Sequence, residues 1–449
     1  MNNLSQLACE AGIVGAGGAG FPTHVKINAK VDCIILNAAE CEPLITVDQM
    51  LLLEYTDMLL QQFDELREFV EAEDAYIAIK AKHEKIIEKL EERIVESSYH
   101  HIHVYALEDF YPAGDEVVTV FEVTGRIVPQ GGIPLEVGVI VLNVETLWNL
   151  ARASEGYPNT HKWITVAGEL RQPGIYRAPI GMKRSEFLEK VGAYPNPNQS
   201  VIDGGPMMGN LIENLDEPIT KTTKALLILP NDNPIIVNAK SSIDYSLRLA
   251  RSVCCQCRLC SDLCPRGLLG YDCEPHKSIL AASYAGTTES STYIQAMTCS
   301  ECGACDQFAC PMGLMPRRVN QALKKTLRKA GAKPPKERRL ETFNQFREYR
   351  KIPVSRLKQR LRIDSYESPV QIIDDSISTS CASLLLSMHI GAPSEVVVQV
   401  GDQVEVGQVI AKCSDKTPVS TNLHASIQGI VKEIDDKQIV IEGGHEIER

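Results

Sequence analysis

Short apolar runs alternate with amphipathic stretches through the first 155 residues. Cys33–Ala38 (CIILNA) is apolar at nearly every position, the pattern of a strand covered on both faces. Asp48–Phe69 sets apolar residues at helical spacing with charges opposite, and predicts one helix. Ala75–Lys80 is a second strand, His83–Val95 a charged amphipathic helix, His101–Ala106 a third strand, and Val137–Val144 another run of strand length. Such alternation predicts an α/β layer with parallel pairing over residues 1–155. From Trp163 the texture changes. Trp163–Gly168, Gly174–Pro179 and Val201–Met208 are short strands around one helix, Lys183–Val191, which predicts a small α+β module over 160–240. Ala225–Leu229 and Pro234–Val237 read as strands leading back to the first domain. Residues 244–330 are mostly helical in pattern, 331–380 form a basic linker with helical character, and 385–449 are all β. In that last part Val396–Val400, Gln403–Val406, Val409–Lys412, Ile427–Glu433 and Gln438–Ile441 are separated by turns.

The 449 residues are 44% hydrophobic and 23% charged, which excludes a disordered or collagen-like chain. No apolar run approaches the roughly 18 residues of a membrane helix. The N-terminus lacks a basic segment followed by an apolar one, so a cytosolic protein without a membrane span is expected. The net charge of −12 is unevenly spread. Arg317–Arg362 holds 17 Lys and Arg against 3 acids, leaving −26 on the remainder. Only Phe343, Phe346 and Tyr349 interleave this stretch, too few aromatics for a stacking stripe, so no nucleic acid partner is expected. The basic stretch reads as a solvated linker and helix lying on the acidic remainder, with a docking surface for an acidic partner as the alternative.

Ten of the 15 cysteines fall between Cys254 and Cys310. Clustered thiols in a reducing compartment are ligands before they are bridges. Cys254-x2-Cys257-x2-Cys260-x3-Cys264-Pro265 is the bacterial ferredoxin run, and Cys299-x2-Cys302-x2-Cys305-x4-Cys310-Pro311 repeats it with one extra residue. In two-cluster ferredoxins the fourth cysteine of each run ligates the other cluster. The expected sets are therefore Cys254, Cys257, Cys260 and Cys310 for one 4Fe–4S cluster, and Cys299, Cys302, Cys305 and Cys264 for the second. Zinc would take paired arms instead of three equally spaced thiols. Cys9, Cys33, Cys41, Cys255, Cys273, Cys381 and Cys413 lack ligand spacing and read as incidental.

Gly15–Gly20 fits G-x-G-x-x-G, but no strand precedes it and Pro22 follows closely, so it does not read as a dinucleotide fold. Its glycines instead leave backbone N–H groups open to a phosphate or a flat ring. With GxGGAGFPTxxK, the following Asn37-Ala38-Ala39-Glu40-Cys41-Glu42-Pro43 resembles the FMN and NADH pocket of the complex I flavoprotein, and more closely the RnfC component of Rnf electron-transport complexes. Asn143-Val144-Glu145-Thr146 is similar to that family's third FMN segment. Adding GGPMMG, both cysteine runs and the C-terminal HASIQGIV, the chain resembles nearly end to end the cobalamin reductases of propanediol-utilising bacterial microcompartments.

The resemblance implies a multidomain α/β and α+β architecture. It comprises a complex I flavoprotein-like FMN domain, a β-grasp module of the SLBB type, a helical ferredoxin-like domain with two 4Fe–4S clusters, and a C-terminal barrel-sandwich hybrid. The last resembles lipoyl domains, but Lys412 and Lys416 lack the sequence context of a modified lysine, so an unmodified module is expected. By position, Gly15, Gly17, Gly18, Lys26, Asn37, Glu40 and Asn143 are implied FMN contacts, while Phe21 and Glu42 face the nicotinamide nucleotide. Ala16 and Ala39 depart from the arginine and aspartate of complex I. Asp115 and Glu116 are pocket acids or solvated turn carboxylates. The implied function is NADH oxidation, with electrons passing through FMN and both clusters to cob(II)alamin for coenzyme B12 regeneration. The implied partners are an adenosyltransferase and a shell protein, inside a microcompartment. A flavin suits this because it links hydride transfer to one-electron carriers; no acid–base or nucleophile constellation is required. The alternative acceptor is a shell protein or flavodoxin that recycles NAD, and a further alternative is a scaffold with clusters as staples.

Overall fold

A computed structural model describes residues 3–284, 290–335, 342–366, 370–414 and 417–443. Four strands form the first sheet in the spatial order Ile102–Leu107, Asp74–Lys80, Cys33–Ala38, Val139–Asn143, all parallel. Successive side chains of a strand point to opposite faces. Accordingly Ile34, Leu36 and Ala38 enter one core, with Phe63, Leu147 and Trp148, while Cys33 and Ile35 enter another with Val117, Val118 and Val120. This explains the continuous apolar run. The chain leaves Cys33–Ala38 toward one edge of the sheet and returns on the other side at Val139–Asn143. The reversal opens a crevice at the carboxyl ends of these two strands, where Asn37 and Asn143 are paired neighbours.

The stretch expected as one helix is two, Val47–Glu54 and Thr56–Phe69, with the break at Tyr55, whose ring packs edge-on against Trp148. A six-stranded second sheet follows. Its order is Ile372–Asp374, Gly174–Pro179, His161–Gly168, Ala225–Pro230, Gln199–Asp203, Asn210–Leu211, with helix Arg184–Lys190 on its core. Two expectations are corrected here. Ala225–Pro230 lies inside this sheet, parallel to His161–Gly168, and does not lead back to the first domain. Pro234–Lys240 is a helix: the Asn233 side chain caps Ile235 N–H, and Pro234 occupies the first turn, where its missing N–H costs nothing. Two pieces of the basic linker are likewise built in. Ile352–Pro353 pairs with Phe110–Tyr111, and Ile372–Asp374 adds to the open edge of Gly174–Pro179.

The C-terminal module starts earlier than expected, at strand Cys381–Leu385. Sheets of four and three strands enclose a core of Leu384, Val404, Ile410, Leu423, Val431 and Ile439. Lys412 is exposed at the end of a strand; Lys416 lies outside the described residues. The module leans on the glycine loop: a Cβ on Gly20 would meet Met388 O at 3.1 Å, and His24 Nε2 lies 2.9 Å from Pro418 O.

Candidate functional site

The glycine loop closes on itself through Gly15 N–H to Phe21 O at 2.9 Å. Ala16 N–H donates to Thr146 Oγ1 at 2.9 Å, which lays the loop over the carboxyl end of the first sheet. A Cβ on Gly17 would stand 2.9 Å from the Asn143 side chain, so only glycine permits that approach. Gly17, Gly18 and Ala19 are exposed. Phe21 is 37% exposed at the loop's end.

Beneath the loop lies a buried charge network. Asn143 caps helix Val144–Ser154 through Glu145 N–H and donates to Asp48 Oδ2 at 2.7 Å. Lys224 binds Asp48 at 2.5 Å, and Lys162 binds Glu145 at 2.5 Å. Asn37 Nδ2 donates to Gly114 O at 2.8 Å. Glu40 has φ +37°, an unfavourable backbone position, and accepts from Asp48 N–H at 2.9 Å and Gln49 Nε2 at 3.1 Å. Burial and the Asp48 carboxylate push its carboxyl up. Lys26 Nζ is held by Glu116 at 2.5 Å, so an anion reaching Lys26 competes with that carboxylate.

Glu42 points elsewhere. Its Oε2 accepts from Met207 N–H at 2.9 Å, a Cβ on Gly205 would meet Oε2 at 2.1 Å, and Oε1 has no hydrogen-bond partner among the described residues. Burial pushes its pKa from 4.5 to about 7, against the pull of Met207 N–H and Arg317. A carboxyl raised in this way keeps its proton in the folded state after the unfolded chain has lost it. Stability therefore falls as pH rises from 4.5 to about 7 and levels off above. Glu42→Gln is expected to gain on the order of 3 kcal/mol at about pH 8 and little near pH 5, at roughly 1.4 kcal/mol per unit, measured by urea unfolding.

The cysteine runs face each other. Cys254, Cys257 and Cys260 line one cavity with Cys310, and Cys255, His276, Ile279 and Met312 are among the residues of its wall. Cys264 leaves that group and faces Cys299, Cys302 and Cys305. The grouping thus crosses between the runs. The extra residue before Cys310 is taken up by a π-helical turn, Ala304–Ala309, closed by Cys310 N–H to Cys305 O at 3.2 Å. Backbone N–H groups reach the sulfurs, Glu301 to Cys299 at 3.3 Å and Leu314 to Cys310 at 3.4 Å.

The two groups sit differently. Cys264 shares a core with Ile35, Ala39 and Ala113 of the first sheet and its loops, with Cys299 packed alongside. Tyr111 Oη donates to Cys302 O at 2.5 Å, and Asp115 pairs with Arg266 at 2.5 Å. Among the described residues, the core around Cys310 and Cys254 instead draws only on those between Ile243 and Leu323, and Cys257 is exposed. Asp115 and Glu116 are therefore not free turn acids: each has a cationic partner.

Residues 9–152 match the family model of the Nuo51 FMN-binding domain, 163–211 the SLBB domain, 253–315 the 4Fe-4S dicluster domain and 364–447 the RnfC barrel sandwich hybrid domain. Cobalamin reductase PduS of Salmonella typhimurium is 39% identical over 437 residues, 97% of this chain and 95% of that protein. The chain belongs to the PduS family. The PduS of Citrobacter freundii is 39% identical over 96% of this chain and 94% of its own. The C component of the Na+-translocating ferredoxin:NAD+ oxidoreductase complex of Acetobacterium woodii is 32% identical over 58% of this chain and 57% of its own. Among solved structures, NAD+-reducing NiFe-hydrogenase in the H2-reduced state is 21% identical, with a TM-score of 0.48 over 74% of this chain and 62% of that one.

An oxidoreductase of this family carries FMN and two 4Fe–4S clusters, and the residues present fit both. For the flavin there is an exposed glycine backbone over Asn143, with polar side chains of Asn37 and Lys26 nearby; for each cluster, four thiols with N–H donors at the sulfurs. Asp48, Lys162, Lys224, Tyr111 and Arg266, which contact the candidate site residues or the elements that carry them, are the ones that sequence reasoning missed. No spacing marks them, since each acts on a partner from another module.

Proposed function

We propose that this chain oxidises NADH and delivers the electrons singly to cob(II)alamin, in support of coenzyme B12 regeneration. The observation that carries the reading is the asymmetry of the two thiol groups. Cys264 and Cys299 pack against the flavin-side sheet, while the group containing Cys257 opens to solvent. In this reading Gly15, Gly17, Gly18, Lys26, Asn37, Glu40 and Asn143 hold FMN and Phe21 meets the nicotinamide nucleotide, while Glu42 is turned away from it onto Met207 N–H. When bound, a flavin takes a hydride and gives electrons up one at a time. The loop supplies open N–H groups to the phosphate. The Asp48–Lys224 pair fixes Asn143, so the amide stays aimed without reorganising. Cys299, Cys302, Cys305 and Cys264 ligate the cluster on the entry side; Cys254, Cys257, Cys260 and Cys310 ligate the one on the exit side.

The names of the relatives, cobalamin reductases, support a corrinoid as acceptor; a microcompartment setting beside a shell protein and an adenosyltransferase is part of the same proposal. No helix among the described residues is long and apolar enough to cross a membrane. The test is anaerobic: iron- and flavin-loaded protein receives NADH with and without cob(II)alamin, and visible spectra are followed. Bleaching of flavin and clusters, followed by cob(I)alamin trapped by alkylation, is the expected result. Bleaching with the corrinoid untouched would move the acceptor to a flavodoxin or shell protein, and no bleaching would overturn NADH oxidation itself.

A further inference from the structure

A fifth thiol lies against the group that faces the flavin side. Cys273 is 2% exposed, and its Sγ stands 3.7 Å from Cys264 Sγ. Its thiol also faces Cys299. Cys264 and Cys299 belong to different runs, so Cys273 touches the seam between them.

The segment that presents it is pinned on both sides. Cys273 N–H donates to Tyr271 O at 2.8 Å, and Tyr271 Oη donates to Val128 O at 2.7 Å. Asp272 N–H donates to Gln130 Oε1 at 2.9 Å, and Thr298 Oγ1, next to Cys299, donates to Asp272 O at 3.0 Å. A Cβ on Gly267 would meet Cys273 O at 3.2 Å, a close approach that leaves little room to move.

We propose that Cys273 is a positioning residue for the flavin-side cluster, its S–H donating a hydrogen bond to the Cys264 sulfur beside Cys299. The inference rests on the ligand sets assigned above. Cys264, Cys299, Cys302 and Cys305 already supply one thiolate to each iron of a 4Fe–4S cluster, so Cys273 keeps its proton and acts as a donor. A hydrogen bond to a ligand sulfur stabilises the extra electron of the reduced cluster and raises its potential.

The test uses the full-length protein loaded with iron and flavin. Cys273→Ala and Cys273→Ser are titrated under EPR, and iron is counted. In Cys273→Ala the midpoint of one cluster is expected to fall while the other stays in place and iron content stays at the parent level. Cys273→Ser, which keeps an O–H donor, is expected to lie between Cys273→Ala and the parent. Unmoved midpoints in both variants would overturn the proposal. Loss of half the iron would overturn it too, by making Cys273 a ligand. A parent chain that holds a single cluster would instead overturn the ligand assignment beneath it.

Discussion

In a chain carrying Cys302→Ala, NADH is expected to bleach the flavin and leave the remaining cluster oxidised. Cys302 is buried and faces Cys264 and Cys299. Removing its thiol takes away one of the four ligands proposed for the flavin-side cluster without touching the residues proposed to hold FMN. Cys254, Cys257, Cys260 and Cys310 keep their own cavity and their own core between Ile243 and Leu323. That core includes no residue of the first sheet, so this group depends on the missing cluster for electrons. Dithionite, which needs no internal route, is expected to reduce it normally. Reduction of cob(II)alamin by NADH should fall to background. The measurement is EPR after NADH and after dithionite; a remaining cluster reduced by NADH at the parental rate would mean that electrons bypass Cys302.

Much of this arrangement was legible beforehand, because the signals were periodic or local. The strand Cys33–Ala38 could be read from its unbroken apolar run, and both cysteine runs from spacing alone. The glycine loop was visible as composition, although its support was not: Asp48 sits in what reads as a solvated helix face. Its partner Lys224 arrives from another module, as Lys162 does for Glu145, and no period encodes such meetings. The basic stretch shows the same limit. Arg347 is 3% exposed and pairs with Glu122, and Arg317 donates to Met207 O at 2.7 Å. These cations are spent on acids and carbonyls of other modules, so a reading of them as solvated is wrong for the buried ones. Pro234–Lys240 was misread because Ile235, Ile236 and Val237 favour strands, while one Asn cap and one Pro decided for a helix. Cys273 carried no spacing signal at all; only folding sets it beside Cys264.

The pair Asp115–Arg266 carries the largest stability prediction. Asp115 caps helix Glu116–Thr124 on the flavin side, and Arg266 follows Cys264-Pro265 in the cluster loop. Their side chains are 12% and 11% exposed and 2.5 Å apart, so each charge depends on the other. Deleting one partner of a buried pair leaves the other uncompensated, at about 3–5 kcal/mol. Asp115→Asn isolates that effect, since asparagine caps a helix as well as aspartate does. Arg266→Met does so from the other side, keeping a long apolar stem beside the Tyr271 ring. Each single variant is expected to lose stability in that range by denaturant unfolding, and to release iron to a chelator faster than the parent. The double variant buries no unpaired charge, so it is expected to recover a large part of the loss. If the two losses simply add, the groups act independently, and the tie between the flavin side and Cys264 must be assigned to Tyr111 and the shared apolar core.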